Sequence, residues 1–386
     1  MKTYKEINEK IKAGNAVVVT AEEIIDIVEK EGAKKAAEMV DVVTTATFGP
    51  MCSSGVFLNF GHSDPPIRIS KLWLNDVPAY AGIAAVDAYI GATELAENMR
   101  SNEIYGGAHV IEDLIKGKEI RFRAIGTGTD CYPKKDISGY INLADLNEAF
   151  MLNPRNAYQN YAAAINLSKE KKETYMGTLL PNGSNITYST SGELSPLMND
   201  PEFKTIGIGT KVFIGGAQGH VAWNGTQHNT LKDKVNGVPT SPGGTLTLIG
   251  DLKEMKPEFI KAAYYKGYGV SLFIGVGIPI PILNEEILLR TAVKDEELFT
   301  NIYDYGVGER SRKSVGLVSY KELKSGFVNI NGKKIRTAPL SSMKKAREIA
   351  NILKEQIKSG DFLLTEPSAE LRQNTSTKPM KLKEEK

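Results

Sequence analysis

The sequence predicts an α/β fold: a mixed or mostly parallel sheet flanked by helices, in one domain or two subdomains. Three observations point there. A helical pattern passes directly into a β-branched strand near the N-terminus, several later β-rich segments end in glycine, and 41% of the 386 residues are hydrophobic. That supply of apolar side chains fills one large core or two ordinary ones.

In chain order, Thr20 and Glu23 have capping-box spacing before the amphipathic run Ile24, Ile25, Ile27 and Val28, and Gly32 is placed to end that helix. A second short helical run over 33–40 gives way to Val42, Val43, Thr44 and Thr45, which read as a buried strand. Strands ending in glycines are expected over 119–128, 210–219, 244–250 and 270–277. In open α/β sheets such loops bring backbone close to a ligand outside the strands' carboxyl ends.

Later helices are expected over 82–98, 257–266, 284–292 and 342–359. The polar stretch 167–201 reads as a long functional loop or a crossing between subdomains. The catalytic body is expected over 1–365, followed by an exposed, mobile polar tail over 366–386. No fixed-period repeat is present.

Charge and cysteine usage remove several classes. With 48 Lys and Arg against 46 Asp and Glu, bulk electrostatics give no reason to expect nucleic acid or anionic membrane as partner. The apolar stretch 270–283 is broken by Gly275, Gly277, Pro279 and Pro281 and is shorter than the ~20 residues that span a bilayer. The charged N-terminus lacks a signal core, so a cytoplasmic location is expected. Only two cysteines occur, which suits a reducing compartment and falls short of the four that normally hold an iron–sulfur cluster. Electrons, if needed, must come from another protein.

Familiar motifs fail on spacing. Gly-x-Gly occurs at Gly126/Gly128, Gly207/Gly209, Gly275/Gly277 and Gly306/Gly308, never with the third glycine of the dinucleotide fingerprint. Ser341 to Lys344 matches SxxK without its companion motifs and sits at a helix start, where serine caps. The four histidines, His62, His109, His220 and His228, have no metal-binding spacing. No metal is expected.

The cysteines remain. Cys131 follows a strand and a glycine turn, with Lys134 and Lys135 close behind to favour a thiolate and Asp130 to oppose it. Cys52 follows another strand and a Gly-Pro turn. If both strands ran parallel in one sheet, both thiols would emerge at one edge and could share a disulfide. Against this stands the ordinary behaviour of free cysteine as a small buried hydrophobe.

The strings around them, VVTAEEIIDIVEKEGAKKAAEMVDVVTTATFGPMCSSGVFLNFGHSDPPIR, AIGTGTDCYP and GTKVFIGGAQGHVAWNGTQHN, resemble the homocysteine biosynthesis family of L-aspartate semialdehyde sulfurtransferases. The resemblance runs from the N-terminus to the helix ending near Ser359. It implies reductive sulfur insertion, in which the aldehyde carbon of L-aspartate 4-semialdehyde becomes the thiol-bearing carbon of homocysteine. The family's persulfide-bearing cysteine falls on Cys131 and its second cysteine on Cys52. Family members often continue into paired regulatory CBS modules where this sequence has its polar tail, so regulation through such modules is expected to be absent or supplied elsewhere. The family also works with a separate ferredoxin-like protein.

Under that resemblance a sulfur donor charges Cys131, and the persulfide attacks the aldehyde. External electrons finish the conversion, with no tightly bound cofactor and with Cys52 as the candidate relay. His62 is the first candidate proton donor and His220 the alternative. Arg68, Arg123 or the backbone at Gly215, Gly216 and Gly219 would cradle the substrate carboxylate. An acyl- or CoA-transferase with a carboxylate nucleophile and a non-catalytic thiol redox sensor are the competing classes.

Overall fold

A computed structural model describes residues 1–98 and 104–384. Among these residues, ten strands form the main sheet, which runs Val18–Thr20, Val42–Pro50, Gly269–Pro281, Lys211–Ile214, Ala217–Asn224, Leu246–Asp251, Glu148–Asn156, Gly55–Asn59 and Asp87–Gly91, with Ile260–Tyr265 also paired to Gly269–Pro281. Only the Val18–Thr20 pairing is parallel; the others are antiparallel. The fold is therefore mixed α/β with a mostly antiparallel main sheet, as hairpins and meanders replace the βαβ crossovers that parallel strands need.

The N-terminal grammar holds. The Glu23–Glu31 helix opens with Thr20 N donating to Glu23 at 2.7 Å and Glu23 N to Thr20 Oγ1 at 3.2 Å, and ends at Gly32, whose φ is 78°. Helices 284–292 and 342–359 are also present, as Glu285–Thr291 and Met343–Lys358. Ser342, not Ser341, caps the latter, accepting from Lys345 N. Its buried Ala346, Ile349, Ala350, Leu353 and Ile357 form one apolar stripe. That stripe packs on Val42–Pro50 and Gly269–Pro281 in a core shared with the Tyr4–Lys12, Glu23–Glu31 and Ala33–Met39 helices.

Two expected helices are strands. Within 82–98 lies the strand Asp87–Gly91, where buried Ala88 and Ile90 alternate with half-buried neighbours. Within 257–266 a single 3-10 turn at Pro257–Phe259 leads into Ile260–Tyr265, half of a hairpin with Gly269–Pro281. Strand pairing overrides local helix preference in both.

The glycines also act differently from expectation. Gly275 lies inside a 13-residue strand, where a Cβ would fall 2.6 Å from Ile349 Cδ1, so it makes room for the Met343–Lys358 helix. Gly215 and Gly216, at φ 59° and 99°, form the hairpin between Lys211–Ile214 and Ala217–Asn224.

A four-stranded sheet, Val77–Ala79, Ile69–Leu74, Ile120–Gly126 and Asp136–Ile141, shares the main core. A mixed six-stranded sheet carries Ala163–Ile165, Asn185–Tyr188, Phe299–Asp304, Ser314–Ser319, Phe327–Ile330 and Lys333–Pro339. The polar stretch 167–201 is thus built in, contributing the Lys172–Thr174/Gly177–Leu179 hairpin and the strand Asn185–Tyr188. Part of the expected tail is also docked. Ser368 N donates to Ile208 O at 2.8 Å, Thr375 bonds Thr230 and His228, and Leu371 is buried. No described helix is long and apolar enough to cross a membrane.

Candidate active site

Cys52 sits on a turn fixed from several sides. Met51 N donates to Leu272 O at 2.8 Å, and Ser54 donates to Met51 O through both its backbone N and its Oγ. Ser53 Oγ donates to Arg155 O at 2.8 Å, while buried Asn153 donates to Ser54 Oγ at 2.9 Å. These bonds tie the thiol's turn to the Glu148–Asn156 strand, so the sulfur's position follows from the sheet. Its Sγ lies 3.2 Å from the Oγ of Ser271.

The thiol faces a cleft of about 610 Å³, lined in part by Tyr158, Tyr161, Tyr175, Tyr268 and Tyr305 and by Arg155, Arg310, Arg312 and Lys232. No aspartate or glutamate is among the described residues lining it. The tyrosines form a ring-to-ring chain: Tyr158 to Tyr161 at 4.7 Å, Tyr161 to Tyr175 at 6.3 Å, then Tyr175 to Tyr268 at 5.8 Å and to Tyr305 at 5.7 Å. Tyr175 and Tyr305 also share a 3.0 Å hydroxyl contact.

Burial pushes the Tyr158 phenol up to about 12, with Arg155 opposing and the Cys52 charge adding to the rise. Burial likewise raises Tyr161 and Tyr305, each reinforced by Tyr175. Tyr268, projected from the hairpin before Gly269, is raised by burial and then by its contact with Cys52. The cleft therefore presents neutral phenols beside a thiol at physiological pH.

Cys131 lies elsewhere. It is exposed on a turn closed by reciprocal bonds between Thr129 and Tyr132, with Thr129 Oγ1 3.6 Å from its Sγ. That turn follows Ile120–Gly126 of the four-stranded sheet, so the two thiols do not emerge at one sheet edge as the parallel arrangement predicted. The reason is that the strand before Cys52, Val42–Pro50, belongs to the main sheet and the strand before Cys131 to the four-stranded one. Both cysteines are free.

His62 joins Cys131's neighbourhood, its ring stacked on Tyr132 at 5.9 Å. Arg68 does so too, sharing a cavity of about 600 Å³ with Thr127 and Tyr132. The other candidates are separate. Arg123 stacks on Trp73 at 4.1 Å. His220 lies on the strand opposite Lys211 and lines neither cavity, and burial followed by Lys211 lowers its pKa. Gly219 is where two strands meet so closely that a Cβ would fall 2.3 Å from Ile249 O. Among the described residues no three His, Cys, Asp or Glu side chains cluster as a metal site.

Sequence reading missed Arg155, Arg310, Arg312, Ser271 and the tyrosines. The Arg-Ser-Arg in GERSRK was a usable signal, but nothing local joined it to Cys52.

A thiol among phenols and guanidinium groups is equipped for nucleophilic sulfur chemistry. The chain belongs to the homocysteine biosynthesis enzyme, sulfur-incorporation family, whose pattern matches residues 16–364. It is similar to the L-aspartate semialdehyde sulfurtransferase of Methanosarcina acetivorans, 55% identical over 98% of this chain and 74% of the relative. The protein of the same name from Methanocaldococcus jannaschii is 55% identical over 99% of this chain and 75% of the relative. An uncharacterized protein of Methanothermobacter thermautotrophicus is 30% identical over 84% and 72%. No solved structure matches the chain.

Proposed function

We propose that this chain is an L-aspartate semialdehyde sulfurtransferase, converting L-aspartate 4-semialdehyde to L-homocysteine with Cys131 carrying sulfur as a persulfide. The observation that carries the reading is Cys52 in the wall of a cleft lined by cations and phenols. The exposed Cys131 supports the other half, because a sulfur donor can reach it. Family membership supports the reaction.

In the reaction, the terminal persulfide sulfur adds to the aldehyde carbon and leaves a Cys131–S–S–CH(OH)R adduct. His62, packed on Tyr132 beside Cys131, supplies the proton to its oxygen. Cys52 attacks Cys131 Sγ, so the bond to the substrate sulfur breaks and a Cys52–Cys131 disulfide forms. The released thiol loses water to give a thioaldehyde, which two electrons and two protons convert to the product thiol. Two more electrons and two protons reopen the disulfide. Sulfur arriving at the persulfide level therefore costs four electrons per turnover.

The thiols stand on separate sheets, so the relay includes movement of the turn bearing Cys131. A separate ferredoxin-like protein brings the electrons, and two free thiols suit a cytoplasmic setting. No tightly bound cofactor enters the scheme. A carboxylate-nucleophile transferase is disfavoured because no Asp or Glu is among the described lining residues.

Mass spectrometry after exposure to polysulfide, which delivers sulfur at the persulfide level, tests the scheme: one added sulfur on Cys131, with loss of homocysteine formation in Cys131→Ser, supports it. Retained turnover in that variant removes Cys131 from the nucleophile role. A purified wild type that consumes no aldehyde over multiple turnovers would favour the redox-sensing alternative.

A further inference from the structure

We infer that Arg155, Arg310 and Arg312 form the subsite for the substrate's α-carboxylate, so the aldehyde binds with its acid end on the arginines and its carbonyl end toward Cys52. The inference rests on the proposed reaction for the identity of the acid; the subsite by itself asks only for a small carboxylate.

Two independent features point to it. The first is unsatisfied donors. The Nε atoms of Arg155 and Arg312 are buried with no hydrogen-bond partner, and both side chains line the cleft. Three other arginines meet carboxylates, Arg121 at Asp76, Arg290 at Glu202 and Arg347 at Glu22. Arg123 also has a buried unpaired Nε, but it stacks on Trp73 and lines none of the described cavities. Leaving such a donor dry and unmatched is unfavourable, and a bidentate carboxylate matches the guanidinium fork.

The second feature is geometry. Ser53, the residue after Cys52, donates to Arg155 O, and Arg155 N donates to Asn153 Oδ1 at 3.2 Å. The arginine's backbone and the thiol's turn are thus held in one hydrogen-bonded unit. Arg312, in the loop after the Phe299–Asp304 strand of the other sheet, is oriented by stacking on Tyr305 at 4.0 Å, and its side chain lines the cleft. Arg310 and Lys232 add positive charge, and no described lining carboxylate neutralises it. No carboxylate among the described lining residues meets the substrate's ammonium group, so recognition falls on the acid end.

The test uses the full chain with Arg155→Gln, Arg310→Gln and Arg312→Gln, plus Arg155→Lys as the charge-keeping control. Succinate, an unreactive small dicarboxylate, is the binding probe, read as protection of the Cys52 peptide from iodoacetamide. Expected results are succinate protection in wild type, its loss in the Arg155 and Arg312 glutamine variants, and KM for the aldehyde raised roughly 10- to 100-fold with a smaller change in kcat. Arg155→Lys should recover part of the protection. Absent protection in wild type, or equal protection and unchanged KM in the variants, overturns the subsite. If succinate protects while wild type fails to turn over the aldehyde, the arginine subsite stands and the proposed reaction falls.

Discussion

The sulfur of Cys52 meets the hydroxyl of Ser271 at 3.2 Å, and Ser271 is completely buried in the strand beside the thiol's turn. The contact holds the sulfur in the wall of the cleft. Ser271→Ala should slow iodoacetamide labelling of Cys52 and lower turnover by about three- to tenfold, with a stability change near 1 kcal/mol. Unchanged labelling and turnover would reduce the contact to packing.

Tyr268 keeps its proton into the alkaline range because burial and the neighbouring Cys52 charge disfavour its anion. It can therefore donate to the substrate thiolate released when Cys52 attacks, throughout the neutral range. Tyr268→Phe should cut single-turnover product formation by about 10- to 100-fold while sulfur loading of Cys131 proceeds normally. Equal loss of loading and turnover would instead indicate damage to the fold.

The buried phenols also set an alkaline limit. Tyr158, Tyr161, Tyr268 and Tyr305 hold their protons to higher pH in the fold than the ordinary value of 10.0. Below about pH 10 folded and unfolded chains bind equal numbers of these protons, so this contribution to stability is complete there. Above it the unfolded chain releases protons that the fold retains, and stability falls toward pH 12. Thermal midpoints measured against pH should drop beyond 10 together with a late rise in tyrosinate absorbance; normal phenol titration in the folded protein would contradict this.

Leu371 tests whether the docked tail is part of the body. It is 2% exposed within the main core. Leu371→Ala should cost about 2–4 kcal/mol in urea unfolding. A silent substitution would show that the segment is detached in solution.

Local signals were legible in the sequence. Thr20, Glu23 and Gly32 bound a helix through contacts within a few residues, and the 342–359 pattern needs only its own periodicity. The strands Asp87–Gly91 and Ile260–Tyr265 were hidden because their partners, Gly55–Asn59 and Gly269–Pro281, decide their conformation. Both cysteines stood out as residue types, whereas Arg155, Tyr268 and Arg312 gain their meaning only when separate sheets bring them around Cys52. Leu371 looked like tail because its neighbours are polar, yet its side chain finds the core.

The open position of Cys131 has a practical outcome. Peroxide and stray thiols can reach that exposed residue, whereas Cys52 is half-buried. Oxidative inactivation in air should therefore begin at residue 131, and preparations kept strictly anoxic will retain the most competent protein.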